Sequence, residues 1–304
     1  MSDDLAIVLT AGMVATACGL LGPLLVLRRA ALLSDAVSHA VLPGIVAVFL
    51  LVGSRAPLPV IAGAAVFAVI CVLLIDALRA TGLVKVDAAI GLAFPALFAL
   101  GVLGVTSFAK GVHLDLDATI YGEIAFTPFR TVELLGSELP RAVVLLSLVS
   151  LGNLLLLVLL WKELKLTSFD QGFAQTTGFS PGLVSRLLLI AVAVTAVTAF
   201  ESVGAILVVT MLIVPAATAY LLSDRLVLMV GLAVAIGWIA AVVGHSSAAA
   251  LDASIAGAMG LVASACFVLA LAFAPRNGLI AVAMRSRRRR ARLAQALAAG
   301  AERG

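Results

Sequence analysis

Nine apolar segments, at 5–27, 31–52, 57–78, 87–108, 141–161, 183–200, 203–222, 226–244 and 255–274, leave this chain of 304 residues few options. A helix needs ~20 apolar residues to cross the hydrocarbon layer, and most of these segments reach that length. Within lipid every backbone N–H and C=O must find its partner inside the protein, so each segment is expected as helix. The fold class that follows is all-α: a polytopic transmembrane helical bundle of about eight to nine spans. A hydrophobic share of 63% against 12% charged residues excludes an ordinary soluble domain. The count stays open at 203–222, which follows its neighbour almost without a loop and holds Pro215. A broken or re-entrant helix is one reading there, a full span the other.

Charge orients the bundle. Asp3 and Asp4 precede the first segment and Arg28-Arg29 follow it, the reverse of a cleaved signal peptide. The segment therefore stays as a span with its N-terminus outside. Alternate loops then carry Arg28 and Arg29, Arg79 and Lys85, Lys162 and Lys165, and Arg225, while the opposite loops carry Arg55 alone and an acid-rich stretch. Positive loops stay inside, which gives N-out and C-in at the cell's inner (plasma) membrane. The formal net charge of +4 belongs to the end of the chain: residues 285–304 hold seven Arg against one Glu. Two regions follow, a membrane domain at 1–284 and a basic, disordered cytosolic tail at 285–304 that lies against anionic lipid heads. The stretch 109–140 is expected outside, and 162–182 inside and partly helical. Cys18, Cys71 and Cys266 sit singly in apolar runs and read as core packing, with no disulfide and no thiolate site.

One stretch, LLSDAVSHAVLPG at 32–44, carries chemistry inside a span. Asp35 and His39 are four residues apart, so on a helix they share a face and can offer one carboxylate oxygen and one ring nitrogen to a single point. Ser34 and Ser38 repeat the spacing, and Pro43-Gly44 can bend the helix one turn later. A charged group in a span costs at least ~2.5–3.5 kcal/mol, so it usually faces a partner or a water-filled path. Spacing alone leaves three readings: a pair that stitches helices, a proton relay, or metal ligands. Two ligands hold a divalent ion poorly; two copies meeting at an axis supply four.

The same stretch resembles the G/S-D-x-x-S-H-A-x-L-P-G signature of membrane permeases in zinc- and manganese-type ABC importers. HLDLDATIYGEIAFTPF (113–129), LKLTSFDQGFAQTTGFSP (164–181), ESVGAILVVTMLIVPAATAYLLSDRL (201–226) and FAPRNGLIAV (273–282) fit that family in the same order. Ser34 stands where many members have Gly. The resemblance implies a paired or homodimeric permease of cobalamin-importer-like architecture. It also implies a cytosolic pair of ATP-binding subunits and an extracytoplasmic metal-binding protein as partners, with Asp35 and His39 contacting the ion. The permease is then a transport subunit without a permanent cofactor, and a divalent metal is its cargo.

Independently of the resemblance, no GxxxxGK[ST] occurs, so energy comes from a partner or an ion gradient. No HExxH and no nucleophile–base set is present, which argues against a membrane enzyme. A proton-coupled secondary metal transporter and a cobalamin- or siderophore-type permease are the alternatives. Carboxylate favours manganese and imidazole favours zinc, so the pair alone is ambiguous. The outer HLDLDATIYGE stretch resembles the manganese- and iron-leaning branch, and the chain has three histidines rather than a His-rich tract. Manganese is therefore the expected cargo, ahead of zinc and ferrous iron.

His113, Asp115, Asp117 and Glu123 can be read as a metal entry funnel or as solvated loop acids, and His245 with Asp252 as outer-loop residues. Glu201 stands at an outer edge, where it can cap a helix or line the path; Lys85 and Asp87 are interfacial. Both 162–182 and 215–226 can meet the ATP-binding subunits, with Pro215, Ala216, Ser223, Asp224 and Arg225 the favoured coupling residues. Trp161 and Trp238 read as interface or packing aromatics.

Overall fold

The structure is a computed structural model that describes residues 2–30, 36, 40–52, 57–108, 124–134, 137–274 and 278–281. Its helices are α1 (Asp3–Leu27), α2 (Leu42–Val52), α3 (Pro57–Ala80), α4 (Val86–Phe108), α5 (Arg141–Leu159), α6 (Trp161–Phe169), α7 (Gln171–Thr176), α8 (Pro181–Val203), α9 (Ala205–Leu222), α10 (Leu226–Leu251) and α11 (Ile255–Phe273). Among the described residues, eight of these are long and apolar enough to cross a membrane. α2 is the described part of the second span, and the basic tail lies outside the described residues.

α1 forms the centre. It packs against α5, α8, α9 and α10, and most of its length is buried. α2, α3 and α4 pack on one another and join the rest through α3 against α8. Small residues make these approaches possible. A Cβ on Gly12 of α1 would fall on the Trp238 ring of α10, and Trp238 Nε1 donates to Thr16 Oγ1 at 3.0 Å. Trp238 is thus a packing residue.

Buried hydroxyls are satisfied within their own helices: Thr10 donates to the Ala6 carbonyl, Thr195 to Ala191 and Thr218 to Val214. That is the arrangement lipid requires, because no water is available there. Asn153 of α5 is a buried amide, donating to the Ala17 carbonyl of α1 at 3.2 Å and to Thr195 Oγ1 of α8 at 2.8 Å.

Three details refine the sequence reading. The outer stretch adds to the helical bundle a 3-10 turn at Ile124–Phe129 and a short antiparallel hairpin, β1 (Thr131–Leu134) with β2 (Ser137–Pro140). Thr131 and Val132, β-branched and short, suit that pairing. Second, α9 is one unbroken helix through Pro215, not a broken or re-entrant one. Proline removes a single backbone bond, and packing on α1, α10 and α11 holds the rest. The missing loop before it is Gly204 alone, at φ +81° and ψ 156°, a backbone that glycine adopts freely. Third, α10 runs to Leu251, seven residues beyond the apolar segment, and His245 lies inside it.

Candidate metal path and cytosolic face

Asp35 and His39 lie outside the described residues, as do His113, Asp115, Asp117 and Glu123. Their described neighbours Ala36 and Ala40 are helical and buried. α2 then starts at Leu42 after a turn at Val41. Beyond that turn, Gly44 lies against the backbone of Gly63 in α3, and Gly101 of α4 faces Leu42 and Pro43. Two neighbouring helices therefore close directly on the Pro43-Gly44 end of the motif. Among the described residues no three His, Cys, Asp or Glu side chains converge on a metal-sized point. Cys18, Cys71 and Cys266 are free thiols.

The coupling residues divide. Pro215 and Ala216 are buried inside α9 in the single chain. Ser223, Asp224 and Arg225 form the turn between α9 and α10, with Ser223 Oγ accepting from the Arg225 N–H at 3.2 Å. Asp224 and Arg225 are exposed. Lys85 and Asp87 are exposed at the start of α4, as expected for interfacial residues. Trp161 is half-buried against the core.

At the outer end Glu201, in the last turn of α8, approaches Arg141 at the start of α5 to 4.0 Å. His245 is not a loop residue: it is 9% exposed, and its Nε2 lies 3.1 Å from Asp4 Oδ1 at the start of α1. Asp252 caps α10 in the left-handed conformation at φ +49°. Beside these ends is a cavity of about 430 Å³ lined by Ile124, Gly204, Ile206 and Ser254 among others.

Sequence reasoning passed over two polar links near the inner face. Asp76 of α3 accepts from Arg186 Nε of α8 at 2.5 Å. An acid inside the apolar run 57–78 was the available signal, because an ionisable group in a span requires a partner. Arg28, at the end of α1, donates from Nε to Ser168 Oγ at 3.0 Å and from Nη2 to Thr167 Oγ1 at 2.7 Å, both in α6. Burial pushes its guanidinium down to about 10, still far enough above neutral for it to stay a cation.

Among the described residues, the bundle has eight helices apolar and long enough to cross a membrane, with two short helices between α5 and α8. The model of the ABC 3 transport family matches residues 5–274. The manganese transport system membrane protein MntD of Bacillus subtilis is 41% identical over 287 residues, covering 94% of this chain and 97% of that one. The chain belongs to the ABC 3 transport family.

The zinc transport system membrane protein TroD of Treponema pallidum is 44% identical to this family member over 274 residues, 90% of this chain and 75% of TroD. Among solved structures, PsaBC from Streptococcus pneumoniae in complex with Fab superposes with a TM-score of 0.74 at 29% identity, covering 91% of this chain and 94% of that one. This ABC 3 chain is therefore a multi-pass inner-membrane transport subunit rather than an enzyme, and it works with an ATP-binding subunit and a substrate-binding protein. α6 and α7 stand on the side of the positive loops, and Phe169, Phe173 and Phe179 are exposed there. Asp170 caps α7 by accepting from the Phe173 N–H at 2.9 Å, which fixes the angle between the two short helices.

Proposed function

We propose that this chain is the membrane-spanning subunit of an ATP-driven importer that carries a divalent transition metal into the cytoplasm, manganese in preference to zinc or ferrous iron. The observation that carries the reading is the match to the manganese relative along 94% of the chain, with Asp35 and His39 inside the matched region. Asp35 and His39 contact the passing ion. Two copies of the chain, or one copy and a paralogue, face each other across the path and supply four ligands. A mixed oxygen and nitrogen set suits manganese, iron and zinc alike, so the metal is decided by geometry and delivery. His113, Asp115, Asp117 and Glu123 form the entry, beneath the extracytoplasmic binding protein.

On the inner side the ATP-binding subunits meet α6–α7 and the Ser223–Arg225 turn. Exposed phenylalanines on a cytosolic surface support this, since a water-facing apolar patch is usually covered by a partner. The basic tail at 285–304 lies on anionic lipid.

The test is uptake into vesicles that hold the permease, its ATP-binding subunits and its binding protein, with manganese, zinc and ferrous iron compared. ATP-dependent manganese uptake is expected to vanish in Asp35→Ala and in His39→Ala while both variants still assemble with the ATP-binding subunits. Normal uptake in both variants removes these residues from the path. Uptake that ignores ATP and collapses with the proton gradient overturns the importer itself.

A further inference from the structure

The end of α1 is built to leave the membrane in one fixed direction. The Arg29 N–H bonds the Val26 carbonyl at 3.1 Å and the Ala30 N–H bonds the Leu25 carbonyl at 3.0 Å, with Arg29 at φ +55°. This is a Schellman closure whose left-handed position is usually glycine, here held by an arginine. Asp35 follows within one short segment.

Arg28, the residue just before that turn, holds α6 rather than another span. Its two acceptors have settled roles. Thr167 Oγ1 gives its own proton to the Glu163 carbonyl at 2.7 Å, and Ser168 Oγ gives its proton to the Leu164 carbonyl at 2.6 Å. Each hydroxyl can therefore only accept from Arg28. The guanidinium is half-buried, and its described partners are neutral. A cation on neutral hydroxyls is held less tightly than one on a carboxylate. The Asp76–Arg186 pair is the contrast, a charged strut between α3 and α8.

We propose that Arg28 is a positioning residue of the transport cycle: it ties cytosolic helix α6 to the point where the chain leaves α1 for the Asp35/His39 segment. Movement imposed on α6–α7 by the ATP-binding subunits is thereby passed to that segment. The inference rests on the importer reading above and names the transmitting contact, which that reading leaves open.

The test uses the full complex in vesicles, with manganese as the probe, and measures ion uptake and ATP hydrolysis in the same sample. Arg28→Gln, and Thr167→Val combined with Ser168→Ala, should each raise the ATP consumed per ion by about tenfold, while hydrolysis stimulated by the binding protein persists. Combining all three changes should add nothing further, because one link has been cut from both ends. Arg28→Lys should fall between, keeping the charge but losing the fork that reaches two hydroxyls. An unchanged ratio of ATP to ions in both variants overturns the inference, and so does a parallel fall of uptake and hydrolysis, which marks a merely structural role. If the wild-type complex imports no manganese on ATP, the importer reading has failed instead, and the two failures are distinct.

Discussion

Gly44 of α2 and Gly63 of α3 meet backbone to backbone: a Cβ on Gly63 would lie 2.7 Å from the Gly44 carbonyl oxygen, and one on Gly44 would strike the backbone of Gly63. Backbone cannot step aside as a flexible side chain can. Gly44→Ala should therefore destabilise the protein by ~1–3 kcal/mol through overpacking. Among the described residues nothing lies within 4 Å of a Cβ added to Gly91 of α4, so Gly91→Ala should be neutral or slightly stabilising. Thermal unfolding in detergent reads both. Equal melting of Gly44→Ala and wild type would mean that the two helices are further apart.

Asn153 joins three spans through the Ala17 carbonyl and Thr195 Oγ1. Its amide has no water to fall back on, so Thr195→Val, which keeps the shape and removes the acceptor, should cost ~1–3 kcal/mol. Asn153→Leu with Thr195→Val removes both partners and should recover part of that loss, because no polar group is left stranded. A double variant less stable than the sum of the two single changes would contradict a shared bond.

These contacts show where the sequence was informative. Lipid sets a minimum span length, so segments such as 57–78 and 87–108 fall within two residues of α3 and α4. The end of α10 was illegible because Gly244, His245 and two serines look like a loop. Asp4, brought near from the other end of the chain, gives His245 a partner that no local pattern contains. The same limit hid Arg28 with Thr167 and Asp76 with Arg186, pairs 139 and 110 residues apart. Asp35 and His39 rest on their spacing of four alone, since both lie outside the described residues. For Pro215 and Ala216 the sequence does not show which face of α9 is buried, and both lie on the buried one.

Asp76 and Arg186 tie the α2–α4 group to α8. Arg186 is half exposed in the single chain, so the pair is partly screened, and ~1 kcal/mol of coupling is a reasonable scale. Arg186→Gln should lower the melting temperature more than Arg186→Gln with Asp76→Asn, since the single change leaves a carboxylate unpaired at the edge of the membrane. A double-mutant cycle on thermal unfolding gives the coupling directly. A coupling of zero would reduce the pair to two independent surface charges.

Gly204 is the whole connection between α8 and α9, and its backbone lies in a region almost closed to other residues. The strain of an alanine there is in the backbone itself, and no rotamer relieves it. Gly204→Ala should cost ~1–3 kcal/mol, or lengthen the join by unwinding the first turn of α9. That unwinding would move Ile206 and enlarge the outer cavity that Gly204 and Ile206 line with Ser254. A cysteine at Ser254 should then react faster with a water-soluble maleimide in the Gly204→Ala background than in a wild-type one. An unchanged melting temperature together with unchanged labelling would show that this join tolerates a side chain, and the single-residue turn would not be what holds α8 against α9.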